Sequence, residues 1–160
     1  MDKKSLIINQ GFSPLRNIKM PYIKIWIHAV WSTYNREPFL NEEVRPKVFE
    51  HIKDNAKSKG IYLDEINGYS DHVHCTISMN AEQNIATIMN LLKGESSYWI
   101  NKNKLINFNF GWQDEYFAVS VSTSQIDIVR QYIRNQVEHH SKITFQQEYE
   151  DFIKKYNFEI

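Results

Sequence analysis

The chain lacks the features that mark secreted, membrane-spanning or low-complexity proteins. Its one cysteine, Cys75, excludes an internal disulfide, and this composition suits a reducing cytoplasm. No run approaches the roughly 18 apolar residues of a membrane span, so we expect no membrane partner. Only 5 glycines and 4 prolines occur in 160 residues, and no repeat or linker is visible. These absences favour one compact cytoplasmic domain.

The chain also lacks net charge, because 19 basic residues balance 19 acidic residues. Domains that bind nucleic acids usually carry a basic footprint, so this balance counts against that class. A local basic patch or a bound metal can still attract phosphate. Aromatic residues are abundant at 14%, and they supply core volume as well as surfaces that stack on unpaired bases.

Hydrophobic periodicity predicts the element order β-α-β-β-α-β-α. This order is the split βαβ, or ferredoxin-like, arrangement of an α+β fold. Two helices should cover one face of a four-stranded antiparallel sheet, the other face should stay open, and an added C-terminal helix should carry Tyr132. In the last strand we expect Phe117, Val119 and Val121 to face the core. The predicted strands are 22–32, 61–67, 72–79 and 114–122, and the predicted helices are about 42–59, 83–100 and 125–140, with a short amphipathic helix within 144–158.

The chain divides into three segments along its length. Residues 1–20 show no structured pattern and are predicted to form a flexible N-terminal extension. Residues 21–143 form the main domain, and residues 144–160 form a helical tail of the same domain.

Two histidines in the third predicted strand carry the first chemical signal. Strand side chains alternate between faces, so His72 and His74 share one face. Val73 and Cys75 lie between and beside them and should face the helices, which leaves the histidines on the open face. Two adjacent imidazoles can coordinate one metal ion. They can equally be two polar histidines on a hydrated sheet, and this motif alone leaves both interpretations open.

A tyrosine and a glutamine form the second signal. Tyr132 and Gln136 are four residues apart and so share one face of a helix. The amide oxygen of Gln136 suits a hard cation such as Mg²⁺ or Mn²⁺ as a third ligand. A metal held in this way keeps positions open for phosphate oxygens, and Tyr132 could then attack phosphorus to form a phosphotyrosine. The alternative for Tyr132 is an ordinary half-buried helix residue.

The two motifs and the element order together resemble the single-tyrosine HUH transposases. This family includes small insertion-sequence transposases that move as single-stranded DNA and the REP-associated tyrosine transposases. The similarity covers roughly residues 21–157. It extends through Trp-Ile-His-Ala-Val-Trp at 26–31, Asn-Arg-Glu-Pro at 35–38, Trp-Gln at 112–113, Tyr-Phe-Ala-Val-Ser-Val-Ser at 116–122 and Tyr-Ile-Arg-Asn-Gln-Val-Glu-His-His at 132–140.

The resemblance implies an HUH transposase catalytic domain at 21–143. It implies that His72, His74 and Gln136 bind Mg²⁺ or Mn²⁺ and that Tyr132 is the nucleophile. It also implies a homodimer and single-stranded DNA substrates with hairpins, cleaved so that the 5′ end stays on the tyrosine and a 3′-OH is released. The expected function is a transposase that cleaves and rejoins single-stranded DNA. The alternative is a non-catalytic or domesticated protein that binds single-stranded nucleic-acid hairpins.

Other polar residues are weaker candidates for DNA contacts, and each also fits a solvated surface. We expect His28 to be a packed or dimer-contact histidine. His139 and His140 fit the C-terminal end of a helix, where the dipole favours positive charge, or a position behind the metal ligands. The candidates for DNA contacts are Arg36, Lys93, Ser96, Ser97, Arg130 and Arg134.

Overall fold

The computed structural model describes residues 22–158, so the extension predicted at 1–20 lies outside the described residues. Within that range, four strands form one antiparallel sheet in the order β2-β3-β1-β4. This is the ferredoxin-like topology, and the predicted α+β fold class is confirmed. In the part of the chain that the structure describes, no helix has the length and apolar content of a membrane span. The elements are β1 Ile25–Thr33, α1 Val44–Ser58, β2 Tyr62–Gly68, β3 His72–Met79, α2 Ile85–Lys102, β4 Trp112–Val121, α3 Ile126–Arg134, α4 Gln136–His140 and α5 Phe145–Tyr156.

Helices α1 and α2 cover one face of the sheet and enclose the main hydrophobic core. Alternate residues of β1 and β3 point into this core, as the period-two pattern predicted. Burying each large aliphatic side chain contributes roughly 1.5–3 kcal/mol, so this layer gives β3 a firm support. The buried residues of this layer include Ala29, Trp31, Val48, Ile52, Val73, Cys75, Ile77, Met89 and Leu92.

Pro46 falls within the helix predicted at about 42–59, and the observed start of α1 explains how the helix tolerates it. The helix begins at Val44 rather than near residue 42, so Pro46 lies in its first turn. Backbone N–H groups there have no partner inside the helix, and a proline therefore loses no hydrogen bond. The side-chain oxygen of Asn41 accepts hydrogen bonds from the backbone N–H groups of Glu43 and Val44 at 3.0 and 2.9 Å.

The second face of the sheet is covered, and the expectation that it stays open is wrong. Helices of the C-terminal segment cover it, so that His72 and His74 are both 0% exposed. Phe117 also lies on this face, because β4 pairs it with Val30 of β1. Its ring packs against Phe152 of α5 at 5.9 Å between centroids. The prediction that Phe117, Val119 and Val121 face the core under α1 and α2 was therefore wrong. A shift of one residue along a strand exchanges its two faces.

The helix predicted at 125–140 is interrupted. α3 ends at Arg134 and α4 begins at Gln136, with Asn135 between them at φ −92° and ψ 16°. A helical hydrogen bond from His139 N–H to the Asn135 carbonyl, at 2.9 Å, continues past the break. Tyr132 and Gln136 thus lie on two short helices rather than on one.

Gly68 closes the hairpin that leads into the histidine-bearing strand β3. A Cβ atom added at Gly68 would lie 2.1 Å from the backbone oxygen of His72 and 3.0 Å from the Cα of Val73. Because both neighbours are backbone, we expect Gly68→Ala to lower the free energy of unfolding by about 3 kcal/mol. Gly60 is the matched control, since its φ is +70° but nothing lies within 4 Å of an added Cβ. Gly60→Ala should cost about 1 kcal/mol. Urea denaturation measures both losses, and equal losses would contradict the close approach at Gly68.

Candidate metal and tyrosine site

Strand β3 brings His72 and His74 together on the covered face of the sheet. Their ring centroids are 5.1 Å apart. Val73 and Cys75 point the opposite way into the core under α1 and α2, which fixes the strand beneath the two imidazoles. The sequence prediction that the two histidines share a face is confirmed by this register.

Each of these imidazoles is held by a partner at its Nδ1 atom. The Nδ1 of His72 lies 2.7 Å from a carboxylate oxygen of Asp71, and the Nδ1 of His74 lies 3.0 Å from Nε2 of His28. A histidine that binds a metal commonly donates its other ring N–H to such a partner. The arrangement leaves both Nε2 atoms for an ion. Among the described residues, Nε2 of His74 has no hydrogen-bond partner although it is buried.

His28 is an orienting residue for His74, a role that the sequence did not assign to it. It lies on β1 opposite Thr76 in the register and is 3% exposed. Burial and, secondarily, the positive charge of Lys155 lower the pKa of His28 to about 4. A neutral His28 can accept the Nδ1 proton of His74. Burial, followed by the neighbouring histidines, also lowers the pKa of His74 well below its usual value, and neutral imidazole is the form that binds metals.

Gln136 joins the two histidines from α4. Its amide oxygen lies 3.2 Å from Nε2 of His72, and its side chain is fully buried. Its amide nitrogen donates to the backbone oxygen of Tyr132 at 3.4 Å, which orients the amide oxygen toward His72. The three residues predicted as ligands therefore lie together.

Glu148 and His140 complete the cluster. The sequence did not point to Glu148, and it predicted His140 at a helix end or behind the metal ligands rather than among them. Glu148 of α5 is 3% exposed. One of its carboxylate oxygens lies 3.0 Å from Nε2 of His140, and the other lies 3.4 Å from Nε2 of His74. One ligand atom from each of His72, His74, His140 and Glu148 can be chosen so that all four lie within 4.8 Å of one another.

One sequence signal could have revealed Glu148. The amphipathic tail helix has an apolar stripe that includes Phe145 and Phe152, and Glu148 lies three residues after the first and four before the second. An acidic residue on an apolar stripe is either paired or functional. Burial, with the negative charges of Asp71 and Asp151 nearby, raises the pKa of Glu148 to about 8.

Tyr132 lies directly beside this cluster. Its hydroxyl donates a hydrogen bond to Glu148 and lies 3.4 Å from Nε2 of His139. The edge of its ring meets the His74 ring at 5.6 Å between centroids. A phenol needs a proton acceptor before it can act as a nucleophile, and the Glu148 carboxylate occupies that position.

A cleft of about 310 Å³ leads to the tyrosine from the surface. Tyr132, His28, Glu148, Phe152 and Lys155 are among the residues that line it. A group as small as a phosphate could therefore approach the hydroxyl of Tyr132 from this side.

The two arginines that flank the tyrosine are bound to acidic residues of β2. Arg130 contacts Asp64 at 2.6 Å, and its other guanidinium nitrogen lies 2.8 Å from Asp127. Arg134 forms an ion pair with Glu65. These pairs attach α3 to the sheet edge, which means that both arginines hold the tyrosine helix in place.

The other predicted DNA-contact residues lie in different settings. Lys93 donates to the backbone oxygen of Asp114 at 2.7 Å, and Ser97 donates to its own helix at Gly94. Ser96 is fully buried, where its hydroxyl donates to the Leu92 carbonyl at 2.6 Å. It also accepts from the indole N–H of Trp112 at 2.9 Å. Because Ser96 is buried and both of these hydrogen bonds lie within the core under α2, DNA cannot contact it, and its prediction as a DNA-contact residue is wrong.

Arg36 lies in a short 3-10 turn that follows β1. Its guanidinium lies over the Tyr149 ring at 4.6 Å from the centroid. Asn35 and Arg36 both have positive φ values, 52° and 57°, and the backbone N–H of Asn35 donates to the side chain of Gln113 at 3.1 Å. Consecutive left-handed residues other than glycine are uncommon and often occur near functional sites. Together these residues border a pocket of about 520 Å³ beside Phe145.

Comparison with known proteins finds similar sequences and folds among transposases. The family described as IS200-like transposases matches residues 21–136. The solved structure of a protein assigned as a transposase from Deinococcus radiodurans R1 is 24% identical in sequence and superposes with a TM-score of 0.60; the alignment covers 72% of this chain and 93% of that chain. The solved structure of a REP-associated tyrosine transposase bound to a REP hairpin is 16% identical and superposes with a TM-score of 0.56; the alignment covers 78% of this chain and 73% of that chain. At these identities the two structures show a shared fold. No match was found among curated protein sequences.

Proposed function

This chain belongs to the IS200-like transposase family, and from that membership we propose that it cleaves and rejoins single-stranded DNA through a covalent bond to Tyr132. The observation that carries the proposal is the contact between the Tyr132 hydroxyl and Glu148, beside the buried cluster of His72 and His74. A nucleophile, a proton acceptor and candidate metal ligands thus meet at one point. An ordinary half-buried tyrosine would not need such partners.

The residues around His72 and His74 fit a divalent metal. Both imidazoles have their Nδ1 atoms engaged and their Nε2 atoms directed into the cluster, and the Gln136 amide oxygen lies beside one of them. We propose His72, His74 and Gln136 as ligands, as the sequence suggested. When bound, a divalent cation would polarise the scissile phosphate and balance the charge that develops on it.

The chain's own residues move the proton and hold the broken strand. As the Tyr132 oxygen attacks phosphorus, its proton passes to the Glu148 carboxylate. The bond between phosphorus and the tyrosine oxygen forms, and the bond between phosphorus and O3′ breaks. The leaving O3′ takes up a proton from water and is released as a 3′-OH. The phosphodiester energy is retained in the phosphotyrosine, so attack by a 3′-OH can reverse the step and rejoin the strand.

The substrate proposed is single-stranded DNA that carries a hairpin. A REP-associated tyrosine transposase of the same fold has been solved bound to a REP hairpin, which supports this substrate class for the present chain. The homodimer implied by the resemblance stays a prediction. Tyr132 contacts Glu148 and His74 of its own chain, which supports a tyrosine that acts on the metal site of the same chain.

The test uses purified full-length protein and single-stranded oligonucleotides from the DNA that flanks its gene. Each oligonucleotide is labelled at its 3′ end, because the fragment that keeps the 5′ phosphate is the one that should remain on the protein. With Mn²⁺ or Mg²⁺ we expect a labelled adduct on a denaturing gel, and with EDTA or with fully duplex DNA we expect none.

A second labelling scheme separates transposase chemistry from simple binding. With the label at the 5′ end, the same reaction should release a shorter fragment that terminal transferase can extend, which shows a free 3′-OH. A native-gel shift without adduct in any metal would instead favour the hairpin-binding alternative, and no interaction at all would contradict both functions.

A further inference from the structure

We infer that His140 and Glu148 are themselves metal ligands, so that the tail helix α5 forms part of the metal centre. This inference rests on the proposed metal site but goes beyond the ligands that the family resemblance implies, and both residues lie outside the segment that the IS200-like family matches, 21–136. His140 ends α4, and Glu148 lies in the first turn of α5. The metal would therefore join β3 to the last two helices of the chain.

His140 has the same orientation pattern as the two histidines of β3. Its Nδ1 lies 3.1 Å from the backbone oxygen of Ile143, which leaves Nε2 directed at Glu148. A ring N–H held by a backbone carbonyl is a common support for a metal-binding histidine. The acceptors at the three Nδ1 atoms are a carboxylate, a neutral imidazole and a carbonyl, and all three Nε2 atoms lie at one centre.

The distances from Glu148 to the three histidines are close to the spacing of ligand atoms around one ion. Metal–ligand bonds of about 2.1 Å place neighbouring ligand atoms roughly 3.0–3.4 Å apart. The Glu148 oxygens lie 3.0 Å from Nε2 of His140, 3.4 Å from that of His74 and 3.6 Å from that of His72. An ion would need only small shifts of side chains that are already assembled.

Charge also favours a cation at this point. Glu148 is 3% exposed, and the imidazoles of His72, His74 and His140 lie against its carboxylate group. A buried carboxylate without a compensating charge is costly by several kcal/mol. A divalent ion would provide that charge and would also satisfy the buried Nε2 of His74.

The two carboxylate oxygens of Glu148 can have different roles, one in metal binding and one in accepting the Tyr132 proton. One oxygen, Oε2, faces His140 and His72, while the other, Oε1, accepts the hydrogen bond from Tyr132. Glu148 would then link the metal to the nucleophile through a single side chain.

Three imidazoles and one carboxylate change the expected metal. Mg²⁺ prefers oxygen ligands and retains several waters, whereas imidazole suits transition metals such as Zn²⁺, and a carboxylate suits Mn²⁺. The ligand set therefore predicts tighter binding of Mn²⁺ and Zn²⁺ than of Mg²⁺.

The test measures metal binding directly in the full chain without DNA. Isothermal titration with Mn²⁺, and separately with Zn²⁺, is compared for wild type, Glu148→Gln and His140→Ala. We expect each substitution to weaken binding at least tenfold, while Mg²⁺ binds wild type more weakly than either ion. Glu150→Gln is the matched control on the exposed side of α5 and should bind like wild type. Glu148→Gln keeps the side-chain shape, so circular dichroism should show an intact fold.

The outcomes separate this inference from the proposed function. If His72→Ala loses the ion but Glu148→Gln and His140→Ala bind it normally, the tail ligands are excluded and the β3 metal site stands. If Glu148→Gln binds normally and fails only to form the DNA adduct, Glu148 acts on the Tyr132 proton alone and is not a ligand. If wild type binds none of the three ions at millimolar concentration, the metal centre itself is overturned.

Discussion

Replacing Tyr132 by phenylalanine should abolish the covalent protein–DNA adduct and leave the protein folded. The substitution removes one oxygen atom, and the ring keeps its contacts with His28 and His74. Without that oxygen no phosphotyrosine can form, so we expect the adduct and the released 3′-OH fragment to fall below detection. Metal binding should persist, because the ligand atoms are unchanged.

Tyr98→Phe is the matched control for this experiment. Tyr98 lies on α2, on the opposite side of the sheet, and is 63% exposed. The control should form the adduct at the wild-type rate. An adduct that survives in Tyr132→Phe would mean that another side chain attacks the DNA, and peptide mapping of that adduct would identify it.

The order of helices and strands could be predicted because local pattern and tertiary structure agree along most of the chain. Alternation in β3 separates Val73 and Cys75 from His72 and His74, and only one face of the strand is apolar. In β4 both faces contain apolar residues, since Phe117 packs under α5 and Ala118 lies opposite Ala29. Which face each β4 side chain occupies therefore depends on the additional helix layer formed by α5, which the periodicity of the sequence alone does not reveal.

The same reasoning explains which site residues the sequence identified. His72 and His74 stand two residues apart on one strand, and Tyr132 and Gln136 stand four apart, so spacing predicts that each pair shares a face. Glu148 reaches them only because α5 folds back across the sheet. The proximity of Glu148 to His74 results from tertiary packing, and it cannot be predicted from the spacing of residues along the chain.

The paired arginines bear on how a neutral protein could bind DNA. Arg130 and Arg134 hold α3 against β2 through Asp64 and Glu65, so much of the positive charge near Tyr132 is already compensated. Attraction for phosphate would then fall to a bound metal ion and to Lys155 beside the cleft. Binding that depends on a metal rather than on many surface cations should respond weakly to salt.

His74→Ala is expected to have the second large effect, on metal binding and DNA cleavage together. His74 is fully buried, its Nε2 has no hydrogen-bond partner among the described residues, and His28 holds its other nitrogen. Loss of this proposed ligand should remove several kcal/mol of charge stabilisation in the transition state, which corresponds to a decrease of about 10³-fold in the cleavage rate.

A matched histidine separates this effect from general damage. His51 is partly buried and also has partners, with Nε2 at 2.9 Å from Glu95 and its ring stacked on Trp99 at 3.9 Å between centroids. It lies on α1, on the other side of the sheet. His51→Ala should lose stability without losing metal affinity, whereas His74→Ala should lose affinity by more than about 100-fold. His74→Leu fills the buried position without offering a ligand atom, and circular dichroism checks that this variant folds. Normal Mn²⁺ affinity and normal cleavage in a folded His74→Leu protein would show that His74 supports the fold and does not bind the metal.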